Sequence, residues 1–325
     1  MNRTPMTAAS RWQAYTLALC VSLPAAAESP DARFLMEQMA DASKSLNYDG
    51  VFIYQRGSEL DTMRIIHSAG WDGERERLIS LTGPEREVIR DNREVKCVYS
   101  DRKAITVEKR SPRDIVPLAL SQPVTKLAEH YDFMVSGEDR IADRPCWVVD
   151  IKARGEYRYN YRMWIDQQHH LVLKSTVQGL NGAALEQVQF TRLEVLDEIP
   201  EVLLEPGLGG PDYERIAVAP AAPEAPAQEW QVKWLPAGFS MQDKQVQKMA
   251  GDRMPVSHQV YSDGMAMVSV FVEKLMGSDE PLRGFSTMGA VNAYSLVNED
   301  HQITVVGEVP RATVRQIAGS VAPRR

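Results

Sequence analysis

Between Asp31 and Leu46 the apolar residues Phe34, Leu35, Met39, Ala42 and Leu46 recur at helical spacing, with Glu37, Asp41 and Lys44 between them. That pattern predicts one amphipathic helix. Asn47-Tyr48-Asp49-Gly50 then ends it in turn residues. Beyond this point the period drops to two. VFIYQ, MRIIHSA, ERLISL, EVIRD, EVKCVY and AITVEK are short runs of β-branched and aromatic residues, separated by turns such as Gly70-Trp71-Asp72-Gly73 and Gly83-Pro84. Their regular spacing predicts an antiparallel sheet or open barrel rather than βαβ units.

Pro112, Pro117 and Pro123 interrupt the pattern between Ser111 and Tyr131 and predict short helices crossing one side of the sheet. Strands resume at FMVSGEDRI, CWVVDIKA, YRYNYRMWID, LVLKSTVQG and LEQVQFTRLEVL, with Asn181-Gly182 as a hairpin signal. In YRYNYRMWIDQQHHLVLKS the alternation is strict. Tyr157, Tyr159, Tyr161, Met163 and Ile165 share one face, and Arg158, Asn160, Arg162, Trp164 and Asp166 share the other. The expectation is an aromatic face turned inward and a charged face turned outward, with Asp166 to His170 as the turn.

From Glu205 to Gln228 proline, glycine and alanine dominate, which predicts an extended linker. A smaller unit follows, residues 229–325, with strand-like runs at WQVKWLP, SHQVYSD, MAMVSVFVEK, AVNAYSLV and HQITVVGEV. A terminal helix begins at Pro310, with Ala312, Val314, Ile317 and Val321 as its inner positions. The expected class is therefore α+β and β-rich, in two units of unequal size.

The first residues stand apart from both. Arg3 and Arg11 precede a short apolar run, and Pro24-Ala25-Ala26-Ala27-Glu28 closes it, which is the layout of a secretory signal peptide cleaved after Ala27. Leu19 before Cys20 fits lipoprotein processing poorly. Loss of residues 1–27 removes two arginines and no acid, leaving 35 basic and 44 acidic side chains and a charge of −9. That balance opposes binding to a phosphate backbone, so the tyrosine ladder is not read as a nucleic-acid platform.

Catalytic signatures are missing from the sequence. GFSTMG has the wrong spacing for a nucleophile elbow, and GLGG lies in the linker rather than between a strand and a helix. His169 and His170 are adjacent, so on a strand they point to opposite faces and cannot hold one metal together. The reading is of a non-enzyme with no cofactor and no metal. Cys97 and Cys146 remain after leader removal, and an exported protein with an even cysteine count invites a disulfide. A bridge would close a loop of about 50 residues and contribute roughly 4 kcal/mol. The other reading is two buried free thiols.

YDGVFIYQRG, RIIHSAG, DRPCWVVDIKARGEYRYNYRMWIDQQHHLVLKS and LEQVQF, then WQVKWLPAGF, YSDGMAMVSVFVE and YSLVNEDHQITVVGEVP, resemble the RseB/MucB family of periplasmic regulators, its alginate-regulating branch above all. The resemblance runs over the whole mature chain in order. It implies a LolA/LolB-like half-open antiparallel barrel with helices and an apolar cavity over residues 28–204, a linker over 205–228, and a smaller sheet-and-helix domain. It further implies binding to the periplasmic segment of a MucA- or RseA-type anti-sigma factor, protection of that segment from a site-1 protease, and release by lipopolysaccharide or lipid A. A lipid or lipoprotein carrier of LolA/LolB type is the alternative, and self-association is left open.

The family supplies no short motif to carry over, so residue choices rest on chemistry. Tyr159, Tyr161 and Met163, with Leu118 and Leu120 from the covering helices, are the candidates for a lipid cavity. Met265, Met267 and Phe271, read as one strand face, are the candidates for the anti-sigma segment, because methionine-rich apolar surfaces accommodate peptides readily. For each of these the alternative is ordinary core.

Overall fold

Asp31 caps the first helix, α1 (Ala32–Ser45), its carboxylate accepting from the Arg33 and Phe34 amides at 2.9 Å each. Leu35, Met36, Met39 and Ala42 form the buried stripe of α1, whereas Phe34 is 53% exposed. At about 100° per residue Phe34 falls well off that stripe, and Met36 takes the inner place expected for it. The computed structural model describes residues 30–71, 73–91, 94–109, 120, 122–218, 229–247, 255–277 and 280–324.

The six runs expected after α1 are strands β1 (Asn47–Arg56), β2 (Glu59–Gly70), β3 (Gly73–Ser80), β4 (Arg86–Arg90), β5 (Glu94–Tyr99) and β6 (Ala104–Lys109). Of the proline-broken segment, the described part holds one turn of helix, α2 (Val124–Leu127). Then come β7 (Tyr131–Ile141), β8 (Arg144–Ala153), β9 (Asn160–Asp166), β10 (Val172–Gln178), β11 (Ala184–Leu196), the short α3 (Glu201–Leu204) and β12 (Glu214–Val218). These twelve strands make one open sheet in the order β12-β6-β5-β4-β3-β2-β1-β11-β10-β9-β8-β7. β12 pairs in parallel with β6, so residues 214–218 of the expected linker extend the sheet edge instead of running free. Bulges at Val51/Phe52 in β1 and Val135/Gly137 in β7 help the sheet curl.

Because of that curl, β8, β9 and β10 bury both faces. On one face Val149, Ile151, Tyr161, Met163 and Ile165 lie under α1 and α2. On the other Cys146, Val148, Trp164 and Leu173 share a cluster with Phe52, Ile65, Leu78 and Val88 of β1–β4. The expectation of one inward and one outward face therefore fails for this segment, and Trp164 is only 8% exposed.

Cys97 and Cys146 both contribute to the second cluster, yet both are free thiols and the expected bridge is not formed. Cys97 stands on β5 and Cys146 on β8, far apart in strand order. The Cys146 thiol is buried, lies 3.5 Å from the Arg144 carbonyl, and is pushed up to about 11 by desolvation.

The smaller unit contains β13 (Trp230–Val232), β14 (Ser240–Gln247), β15 (Val256–Ser262), β16 (Met267–Lys274), β17 (Gly284–Met288), β18 (Val291–Asn298), β19 (His301–Gly307), α4 (Arg311–Ser320) and β20 (Val321–Pro323). Six of its strands form a sheet in the order β14-β15-β16-β19-β18-β17. Val268, Val270 and Val272 of β16 and Ile303 and Val305 of β19 bury one face of it against Val314, Ile317 and Ala318 of α4. Thr313 rather than Ala312 is the buried residue of the first turn. Among the described residues no helix is long and apolar enough to cross a membrane.

Candidate functional site at the seam between the sheets

The tyrosine segment reaches its place through a bend. Residues 154–158 leave the β8 path, and Asn160 Oδ1 closes the bend by accepting from the Ala153 amide at 2.9 Å. The bend breaks alternation before β9 begins, so Arg158 does not point to solvent as the strict pattern predicts. It is 4% exposed and points at the smaller unit.

There Arg158 Nε lies 2.6 Å from Asp263 Oδ2, a carboxylate that also accepts from the Tyr131 hydroxyl at 3.0 Å. Its other oxygen accepts from the Met265 and Ala266 amides at 3.0 and 2.8 Å, holding the turn that leads into β16. A second Arg158 nitrogen donates to the Ala237 carbonyl, and the guanidinium sits 5.1 Å from the Phe239 ring centroid. Charge, four donors and two rings thus meet in a region closed to water.

Around this ion pair the two units are stitched by further polar contacts. Asn292 Nδ2 donates to the Tyr159 hydroxyl and to the Val309 carbonyl, each at 2.8 Å. Thr313 Oγ1 donates to the Tyr157 carbonyl at 2.9 Å, and the Tyr157 and Trp234 rings pack edge-on at 5.0 Å. Glu186 of β11 accepts from the Ala290 amide at 3.0 Å and from the Tyr54 hydroxyl at 2.8 Å. Gly238 (φ 90°) and Gly289 (φ 59°) turn the loops that make this approach. A side chain at 238 would strike His130 at 2.2 Å, and one at 289 would meet Glu186 Oε1 at 2.7 Å.

Tyr159, Tyr161, Met163 and Leu120 all belong to this seam: they are buried in one cluster with Ala290 and Met265 of the smaller unit. The Tyr161 hydroxyl is buried without a hydrogen-bond partner. Burial raises both Tyr131 and Tyr161 far above the usual phenol range. Leu118 lies outside the described residues.

Met265 precedes β16 and faces the seam, apart from Met267 and Phe271. The latter two share the face of β16 turned away from α4, where Phe271 stacks on His258 at 4.3 Å and 9°. The single strand face expected for all three is therefore split. Glu186, Asp263 and Asn292 carry no signal in the sequence, and Arg158 reads there only as part of an outward charged face. Each meets its partner across more than a hundred residues, and no local spacing marks them.

A shallow apolar cleft with a cavity volume of about 10 Å³, partly open to solvent, lies beside α1 and is lined by Ser43, Tyr48, Leu171, Val172, Phe190 and Leu193. None of the expected cavity residues lines it. Asp166 to His170 is the turn after β9. Asp166 is fully buried, accepts from Arg144 and from the His169 amide, and serves as a turn anchor. Among the described residues no cluster of ligating side chains could hold a metal.

Comparison with known proteins places these features in a family. The model described as MucB/RseB N-terminal domain matches residues 31–208, and that described as MucB/RseB C-terminal domain matches residues 224–322. The chain is 30% identical over 302 residues to the sigma factor AlgU regulatory protein MucB of Pseudomonas aeruginosa, covering 92% of this chain and 93% of that protein. It is 31% identical over 307 residues to the sigma-E factor regulatory protein RseB of Salmonella typhimurium, covering 91% and 92%. Among solved structures, a complex of Pseudomonas aeruginosa MucA and MucB superposes with a TM-score of 0.72 at 30% identity, over 91% of this chain and all of that one.

Proposed function

The chain belongs to the MucB/RseB family, and from that premise we propose that it is a periplasmic negative regulator of an envelope-stress sigma factor. It binds the periplasmic segment of a MucA- or RseA-type anti-sigma factor and covers that segment against a site-1 protease. The observation that carries this reading is the match of both units, in order and over 91% of the chain, to a protein solved together with MucA. Shielding requires area and affinity rather than a reactive group, so the protein acts as a stoichiometric binder and not as an enzyme. It reaches its compartment through the leader that ends at Ala27.

Lipopolysaccharide or its lipid A part is the releasing effector in this reading. The cleft beside α1 holds only about 10 Å³, room for about one water, far below the roughly 300–1,000 Å³ of ordinary ligand sites. Acyl chains entering that cleft need it to widen. A lipid that binds the widened arrangement better shifts the population toward it, and the anti-sigma segment is lost if it binds the closed one better. The half-buried Met267 and Phe271 on β16 form the surface we assign to that segment, and Met265 couples it to the seam. The test is titration of the mature protein with the periplasmic segment of its own organism's anti-sigma factor. A saturable complex is expected; failure to co-elute at stoichiometric concentration defeats the reading.

A further inference from the structure

Among the described residues the two larger sheets end in four edge strands, and three of these edges are guarded. β7 is broken by its bulge at Val135/Gly137 and carries exposed Glu138, Asp139 and Arg140. β14 has a bulge at Met241/Asp243, with Asp243 and Lys244 beside it. β12 begins with Glu214 and Arg215 and pairs in parallel with β6. Bulges and charges of this kind keep foreign strands away from unpaired backbone.

β17 differs. Gly284 to Met288 contains no charge and no proline, and its register with β18 runs unbroken from Gly284 opposite Ser295 to Met288 opposite Val291. All five residues are exposed, and among the described residues no strand pairs with its outer side. Its short length is its one guard. In an antiparallel ladder alternate residues of an edge strand turn both N–H and C=O outward, so β17 presents unpaired donors and acceptors.

The surroundings discriminate by charge. Phe285 packs on Tyr294 at 4.5 Å, and the Arg311 guanidinium of α4 lies 4.3 Å from the Phe285 ring centroid. Arg315 follows one turn later on the exposed side of α4, a helix with no acidic residue, and exposed Arg283 immediately precedes β17. Among the described residues none of these three arginines makes an ion pair. Met288, by alternation, projects from the opposite face and is exposed. A second copy of β17, paired antiparallel about Ser286, would bring two sets of these arginines together, so charge opposes self-pairing.

We propose that the free edge of β17 is a docking site for an extended acidic segment of a partner protein. The segment adds as a further strand, its acidic side chains facing Arg311 and Arg315 and its apolar ones, at alternate positions, beside Met288. The main-chain ladder gives affinity, and the arginines give selectivity. The inference does not rest on the reading of the protein as a sigma-factor regulator, and its surface is separate from Met267 and Phe271 on β16.

The probe is a short capped peptide alternating glutamate and valine, titrated into the mature full chain beside a lysine-valine peptide of equal length. Saturable binding of the acidic peptide is expected, weakening as salt is added, with hydrogen exchange slowed at alternate amides of β17 and unchanged in β7 and β14. Arg311→Glu should weaken the acidic peptide by about tenfold and admit the basic one; Arg315→Glu should act in the same direction and serves if the first variant does not fold. No binding of the acidic peptide, equal binding of both peptides, or protection away from β17 would overturn the proposal. So would exchange in β17 that slows with rising protein concentration when no peptide is present, because a second copy would then hold the edge.

Discussion

Arg158 and Asp263 are 105 residues apart in the chain and meet at 2.6 Å, with side-chain exposures of 5% and 0%. This pair joins the large sheet to the small one. Asp263→Asn retains an acceptor for the Met265 and Ala266 amides but leaves the guanidinium buried without a counter-charge. It should cost about 3 kcal/mol in denaturant unfolding. Adding Arg158→Met to that variant should recover part of the loss, since the orphaned charge is then gone. A double variant whose loss equals the sum of the singles would show that the two residues act independently.

Neighbouring tyrosines should respond differently to loss of the hydroxyl. Tyr159→Phe leaves Asn292 with one acceptor instead of two and should cost about 1 kcal/mol. Tyr161→Phe removes a buried hydroxyl that has no partner and should be neutral or stabilising by up to about 1 kcal/mol. Equal destabilisation of both variants in thermal unfolding would contradict the assigned contacts.

Gly289 and Gly319 make a second contrast. Gly289→Val places a β-branched residue at φ 59° and drives its Cβ toward Glu186, so about 2 kcal/mol or more of stability should be lost at the seam. Gly319 lies in α4 with nothing within 4 Å of an added Cβ, and Gly319→Ala should stabilise by about 0.5–1 kcal/mol. Unfolding midpoints that move in the same direction would refute this pairing.

The thiols give a chemical test of the corrected disulfide. Adding reductant should leave the melting temperature of the mature chain unchanged, because no bridge exists to break. Alkylation near pH 8 should modify half-exposed Cys97 before Cys146, whose thiol is buried and pushed up to about 11 by desolvation. Loss of thiol reactivity in the purified, non-reduced protein would restore the bridge.

Local pattern carried much of the secondary structure. Six runs after α1 are six strands, and Pro310 opens α4, because alternation and capping act over a few residues. What the pattern could not give is which surface covers a face. Tyr161 and Met163 read as an inward face and are one, but the smaller unit helps to cover it. Trp164 on the opposite face is buried as well, since the sheet curls. Arg158 read as an outward cation, and its partner, Asp263, sits in a turn of another unit. Long-range pairing of this kind has no sequence period, so the seam emerges only from the fold. Of the two readings left open for Cys97 and Cys146, the structure has free thiols in one apolar cluster, and cysteine count and compartment carry no information on how two strands present them.

Protease protection tests the central claim most directly. The periplasmic segment of the anti-sigma factor is mixed with its site-1 protease, alone, with stoichiometric mature protein, and with protein plus lipopolysaccharide. The account predicts rapid cleavage alone, protection with the protein, and cleavage restored by the lipid. Cleavage at the same rate with and without the protein would contradict it.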